Sequence, residues 1–172
     1  TAFVKDCEGR TQTVNEGLPF SESILSAISD PVRFPALALL RDEISRWRFY
    51  HLFRVDPASP IRQPQPATRT PILAADGRDL VAALASIIEF GSATALRDAL
   101  RVAFPDATFD FQPVTDESGR LRLRMKHPPF ERWFSQGELS DGTLKFLCLA
   151  AALHSVDPPP LLVLNEPEGS LH

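Results

Sequence analysis

Leu139-Ser140-Asp141-Gly142-Thr143 opens an apolar run that continues to Leu153, and Leu161-Leu162-Val163-Leu164-Asn165-Glu166-Pro167 follows after Pro158-Pro159-Pro160. Ser140 is a good helix N-cap, and the next residues keep the first turn small and polar. Helix N-termini carry unpaired N–H groups and partial positive charge, so they accept anions such as phosphate. Gly142 allows close backbone approach and Ser140 offers a hydroxyl, whereas the carboxylate of Asp141 opposes an anion. By itself the pentapeptide reads first as a plain capped helix. From Leu144 to Leu153 only Lys145 is charged, which predicts a helix buried between layers. The three prolines end it and lead into a short, continuously apolar segment, as expected of a central parallel strand. Ligands of open α/β sheets bind at the carboxyl ends of such strands, where Asn165 and Glu166 fall.

The elements upstream are consistent with a mixed chain. Phe3 to Cys7, a turn at Glu8-Gly9-Arg10 and Thr11 to Val14 predict a β-hairpin. Ser21 is the expected cap of a short helix striped by Ile24, Leu25 and Ile28. Asp30-Pro31 signals a second helix running through Leu37, Leu40 and Ile44 to about Arg46. Trp47 to Arg54 is aromatic-rich and reads as a strand. Pro57, Pro60, Pro64, Pro66 and Pro71 predict a surface loop. Leu80 to Phe90 and Ala95 to Phe104 read as helices broken at Gly91-Ser92. Thr108 to Val114 and Leu121 to Lys126 read as strands joined by a turn at Glu117-Ser118-Gly119. Phe130 to Phe134 is a further candidate strand. The expected organisation is a hairpin and helical lobe (1–56), a Pro-rich linker (57–75), helices with a β-hairpin (76–135), and the final helix and strand (136–172).

Composition narrows the classes. The 172 residues are 44% hydrophobic and 23% charged, with a formal net charge of -4. These values fit a globular domain, and nothing global points to nucleic acid or an anionic surface. Cys7 and Cys148 make no disulfide framework, and Cys148 within the apolar run reads as a buried thiol. A reducing, cytoplasmic location is expected. No signal pattern or spanning segment is present in the sequence.

With those residues in place, the chain resembles ABC-class P-loop ATPases, in particular the SMC/RecF-like predicted ATPases of bacteria. Leu139 to Thr143 looks like their signature motif, LSGGQ or LSDGT. Leu161 to Glu166 looks like the Walker B strand, with Pro167-Glu168 following as in "DEPE", and Gly169-Ser170-Leu171-His172 looks like the start of the D-loop. The close likeness covers roughly residues 136–172; Trp47-Arg48-Phe49-Tyr50 resembles a less specific part of the same group. The resemblance implies an α/β fold, a partial P-loop NTPase (ABC-type ATPase head) with a helical lobe and an antiparallel β layer. It implies Glu166 as general base for attack on the γ-phosphate. Ser140, Asp141, Gly142 and Thr143 would form the nucleotide-facing turn, acting on ATP held by a second subunit in a homodimer. Mg²⁺ would be steadied through water by residue 165, where the group ordinarily has Asp.

Asn165 departs from that pattern and removes one negative charge from the metal's surroundings. Loss of an outer-shell partner typically costs on the order of 10–100-fold in metal affinity or activity. A G-x-x-x-x-G-K loop followed by Ser or Thr is absent from the sequence, as is a switch histidine on a later strand. The expectation is therefore a piece of a longer ATPase that is inactive alone. The alternatives are a non-hydrolysing nucleotide-gated scaffold or a DNA-associated interaction module. For the last, Arg120, Arg122, Arg124 and Lys126 form a basic strand edge that reads either as protection against edge pairing or as a phosphate-backbone contact. His51, His127, His154 and His172 are scattered without metal-site spacing.

Overall fold

Apolar residues at alternating positions of one strand, Leu121, Leu123 and Met125, turn inward into the main core, where the helix Leu80–Phe90 packs on that strand. The computed structural model describes residues 2–14, 21–113 and 119–169. It divides into two units, residues 1–47 and 48–172.

In the first unit, β1 (Ala2–Lys5) and β2 (Thr11–Val14) pair antiparallel, with Val4 opposite Gln12. Gly9 supplies the positive φ of the connecting turn. Helix α1 (Ile24–Ala27) is capped by Ser23, not the expected Ser21: the Ser23 hydroxyl accepts from Leu25 N–H. The start signal at Asp30-Pro31 also resolves differently. Asp30 folds a turn by accepting from Val32 and Arg33 N–H, and helix α2 (Pro35–Ser45) begins four residues later with Pro35 in its first turn. A carboxylate placed two residues before available N–H groups favours the local turn over helix propagation.

The second unit holds the main core. Strand β3 (Arg48–Tyr50) is shorter than the predicted 47–54 stretch, and residues 51–55 leave it as irregular chain. The Pro-rich segment runs largely over the surface, as expected, but it is pinned by buried residues. Ser59 and Ile61 are fully buried, Leu73 nearly so, and a 3-10 turn (Pro60–Arg62) and β4 (Gln65–Pro66) lie within it. Proline rules out a continuous ladder but leaves short pieces that dock by their side chains.

Helices α3 (Leu80–Phe90) and α4 (Ala93–Ala103) follow, separated at Gly91-Ser92 as the sequence indicates. The N-terminus of α3 has no cap from Asp79. Buried Gln65 serves instead, its Oε1 accepting from Val81 N–H at 2.9 Å while its Nε2 donates to Arg78 O. Strand β5 (Thr108–Pro113) pairs antiparallel with β6 (Arg120–Lys126). The predicted turn at Glu117-Ser118 lies outside the described residues. Strand β6 also pairs with β4 and with β7 (Phe134–Ser135), so it is internal to its sheet and not the expected basic edge. The expected Phe130–Phe134 strand reduces to β7.

Helix α5 (Asp141–Leu153) packs on α3 and α4, burying Leu144, Leu147 and Cys148 completely. Phe104 bridges its neighbours edge-on, 5.7 Å from Phe109 and 5.2 Å from Phe146. Strand β8 (Leu162–Leu164) pairs in parallel with β3, Tyr50 opposite Leu164. It is parallel as predicted but covered on one face. Leu162 and Leu164 pack on the core, while Val163 and its partner Phe49 are 38% and 55% exposed.

Two tests address this packing. Gly77 has φ +76°, and an added Cβ would stand 2.9 Å from Cys148 Sγ. Gly77→Ala should lose about 2–4 kcal/mol in urea unfolding from overpacking and backbone strain. Cys148→Ala in the same chain should recover only the packing part. Burial raises the Asp79 carboxyl above its ordinary 3.8. Native Asp79 thus holds its proton where the unfolded chain has lost it, so stability falls as pH rises from 3.8 through the raised value. Asp79→Asn should raise the thermal midpoint at pH 7 and leave it unchanged below pH 3.

Candidate functional site

The carboxyl ends of β3 and β8 meet at one place. Asn165 N–H donates to Tyr50 O at 3.0 Å, extending the parallel ladder one residue past the strand. Tyr50 is itself fixed: its buried ring lies 5.5 Å from Phe53, and its hydroxyl donates to Leu73 O at 2.9 Å. Burial pushes its pKa up to about 12, so it is a neutral structural anchor at physiological pH. Just beyond the ladder, Glu166 takes φ +45°, the only non-glycine residue with positive φ among those described. Such backbone is uncommon for a side chain of this size and clusters at functional positions. The turn closes with Gly169 N–H donating to Glu166 O.

A pocket of about 190 Å³ opens at this point, lined by Tyr50, His51 and Phe53 from the β3 side, Asn165 and Glu166 from the β8 side, and Lys145 and Leu149 from α5. Its volume lies below the roughly 300 Å³ of ordinary small-molecule sites. It has room for a phosphate group or hydrated cation, not for a whole nucleotide. Residues that carry an ammonium, an imidazole, a carboxamide and a carboxylate line it. Among the described residues there is no cluster of three His, Cys, Asp or Glu that would hold a metal on its own. The donor set fits Mg²⁺, which commonly takes one or two protein carboxylates and completes its shell with phosphates and water.

The Ser140 turn is a separate feature. Ser140 caps α5, its Oγ accepting from Thr143 N–H at 3.1 Å and lying 2.8 Å from Thr143 Oγ1. Ser140 and Asp141 are exposed and Gly142 and Thr143 half-buried, so the helix end faces outward. Asp141 does not point bare into solvent, because Arg62 Nη2 donates to its Oδ1 at 2.5 Å. A capping box on the preceding 3-10 turn (Gln136–Glu138) holds the approach: Glu138 accepts from Ser135 N–H and its hydroxyl. The same bonds, with Arg132, keep the Glu138 carboxyl below its ordinary range.

The structure therefore joins Asn165 and Glu166 in one pocket and puts Ser140, Asp141, Gly142 and Thr143 elsewhere on the helix that lines it. Sequence reasoning missed three residues. Lys145 carried a signal, as the single charge between Leu144 and Leu153. His51 and Arg62 carried none, since each reaches its position through non-local packing. The basic strand gives DNA no support: Arg124 pairs with Asp110 and lies over Trp133, Lys126 pairs with Glu131, and Arg120 donates to Pro64 O. Ser170, Leu171 and His172 lie outside the described residues.

Residues 17–172 match the family model described as "AAA domain, putative AbiEii toxin, Type IV TA system". The chain belongs to this AAA family. Membership places the domain in the P-loop NTPase superfamily, with its α/β fold and general use of nucleotide and Mg²⁺. No curated protein and no solved structure matches the chain. No helix among the described residues of this AAA domain is long and apolar enough to cross a membrane.

The left-handed backbone at 166 generates a direct test. Because β-branched residues tolerate it worst and glycine best, Glu166→Val should be about 1–2 kcal/mol less stable than Glu166→Gly. Equal unfolding midpoints for the two variants would remove the strain assigned to this turn.

Proposed function

We propose that this AAA domain is part of an SMC/RecF-like ABC ATPase that binds ATP and hydrolyses it with Mg²⁺, coupled to reversible homodimerisation. The observation that carries this reading is the strand-end pocket, where Glu166 and Asn165 follow a parallel strand and face Lys145. Glu166 is the general base: its carboxylate accepts the proton of the water that attacks the γ-phosphorus. Asn165 would hold a Mg²⁺-bound water through its carboxamide, and Lys145 would draw phosphate oxygens toward the pocket it lines. Bound Mg²⁺ supplies charge neutralisation at the phosphates.

Ser140, Asp141, Gly142 and Thr143 make up the second half of the site. Ser140 and Asp141 are exposed, Gly142 and Thr143 half-buried, and none of the four lines the pocket, which is the disposition required if they act on nucleotide held by another copy. There the first-turn N–H groups and the Ser140 hydroxyl contact the γ-phosphate. A Walker A loop, absent from these 172 residues, is required in the natural protein. The second reading is a nucleotide-gated scaffold that does not hydrolyse. Asn165 favours it, because a neutral carboxamide holds a metal-bound water more weakly than a carboxylate.

Steady-state phosphate release by the natural full-length protein separates the two. Turnover that falls at least 100-fold in Glu166→Gln and rises about 10-fold in Asn165→Asp identifies the hydrolase. ATP-driven association without turnover in the unsubstituted protein identifies the scaffold. Residues 1–172 alone should release no phosphate above background; catalytic turnover by them would overturn the assignment of the site.

A further inference from the structure

Arg62 is a charged side chain held by four hydrogen bonds. Only 9% of its side chain is exposed. Its Nε donates to Val55 O at 2.8 Å, and its Nη1 donates to Gly137 O at 3.1 Å and Leu139 O at 2.8 Å. Its Nη2 reaches the Asp141 carboxylate, which is itself 63% exposed. One guanidinium from the Pro-rich segment thus grips the chain on both sides of the Ser140 cap. Only the planar fork of Arg presents donors in enough directions to do this; Lys offers a single point charge.

The arrangement answers a contradiction in the turn itself. A carboxylate in the first turn strengthens a helix through its dipole. The same charge repels any anion that approaches the N–H groups it sits beside. Arg62 cancels that charge locally and holds the carboxylate toward the Pro-rich segment. Its bonds to Gly137 and Leu139 carbonyls also fix the direction from which the chain reaches Ser140. Those two carbonyls precede the helix and would otherwise be free to turn toward the anion, with the wrong sign.

We propose that Arg62 is the positioning residue of the Ser140–Thr143 turn, acting through Asp141 to make this helix end receptive to the terminal phosphate of a nucleotide. This inference rests on the reading of that turn as a nucleotide contact. Arg62 itself need not touch the phosphate. Its effect is on binding across the turn, and not on the protonation chemistry at Glu166.

The test uses the natural full-length protein carrying Glu166→Gln, so that hydrolysis does not deplete ATP, with Mg²⁺-ATP as the probe and association followed by light scattering. Arg62→Gln should raise the ATP concentration needed for half-maximal association about 10-fold or more, the scale of losing a charge-assisted hydrogen bond. Asp141→Asn, which leaves Arg62 uncompensated, should lower it and make it more sensitive to salt. The double variant should return close to the parent. Thermal midpoints recorded alongside isolate folding effects: a merely structural Arg62 would lower the midpoint equally in the single and double variants, with no recovery of association. That pattern, or an unchanged or weaker association in Asp141→Asn, overturns the inference. Should Arg62→Gln not fold, Asp141→Asn alone still decides. If the parent and Ser140→Ala associate identically with ATP, the turn is not a nucleotide contact and the underlying reading fails first, taking the inference with it.

Discussion

Burial of α5 is the constraint on which the rest of the second unit depends. Leu144, Leu147 and Cys148 lose all solvent contact, and Ala150, Ala151 and Ala152 allow close approach by the neighbouring helices. A helix held on so many sides cannot rotate or slide without exposing apolar surface. Its N-terminus and its Lys145 face are therefore fixed relative to each other. The Ser140 turn and the pocket at Glu166 owe their separation to that rigidity, as does any arrangement in which they serve different nucleotides.

The parts of the structure legible in the sequence were those governed by local chemistry. Ser140 caps α5, Gly91-Ser92 separates two helices, and Leu121, Leu123 and Met125 alternate inward, because each depends on neighbours a few residues away. The family match agrees with the α/β reading at the superfamily level. What escaped were the features that depend on distant partners. Proline density pointed to a surface loop, but Ile61, Leu73 and Gln65 are buried because other elements receive them. Gln65 caps α3 through Val81 N–H, sixteen residues away in sequence, and no window around Asp79 carries that information. Strand β6 looked like an edge because its charges alternate; pairing with β4, β5 and β7 makes it internal, with Arg124 directed to Asp110 and Trp133 and Arg120 to Pro64 O.

The candidate site divides in the same way. The strand-end carboxylate was legible because a continuous apolar run must end somewhere, and the polar residues that end it stand at the sheet's carboxyl edge. Its companions from β3 were not, since His51 reaches the pocket only through the register of Tyr50 with Leu164. The same parallel pairing explains why Val163 and Phe49 share an exposed face, where a central strand would be covered. Alternation along β8 leaves Leu162 and Leu164 to anchor it, so the pocket is built on a strand buried from one side.

Rigidity and strain are distributed unequally between the two halves of the proposed site, and this has a consequence for mechanism. The Ser140 turn is over-determined: a cap, a capping box on the preceding turn and the Arg62 fork all specify one conformation. Glu166 is the reverse, an exposed carboxylate on left-handed backbone beside a turn held by Gly169 N–H. A rigid anion-binding half favours recognition, because the donors need not reorganise when phosphate arrives. A strained carboxylate at the strand end favours adjustment, because a small change of backbone there relieves strain rather than adding it. Under the proposed function, the turn would supply the affinity that brings two copies together, and the adjustment that aligns base with water would be confined to the residues following Asn165.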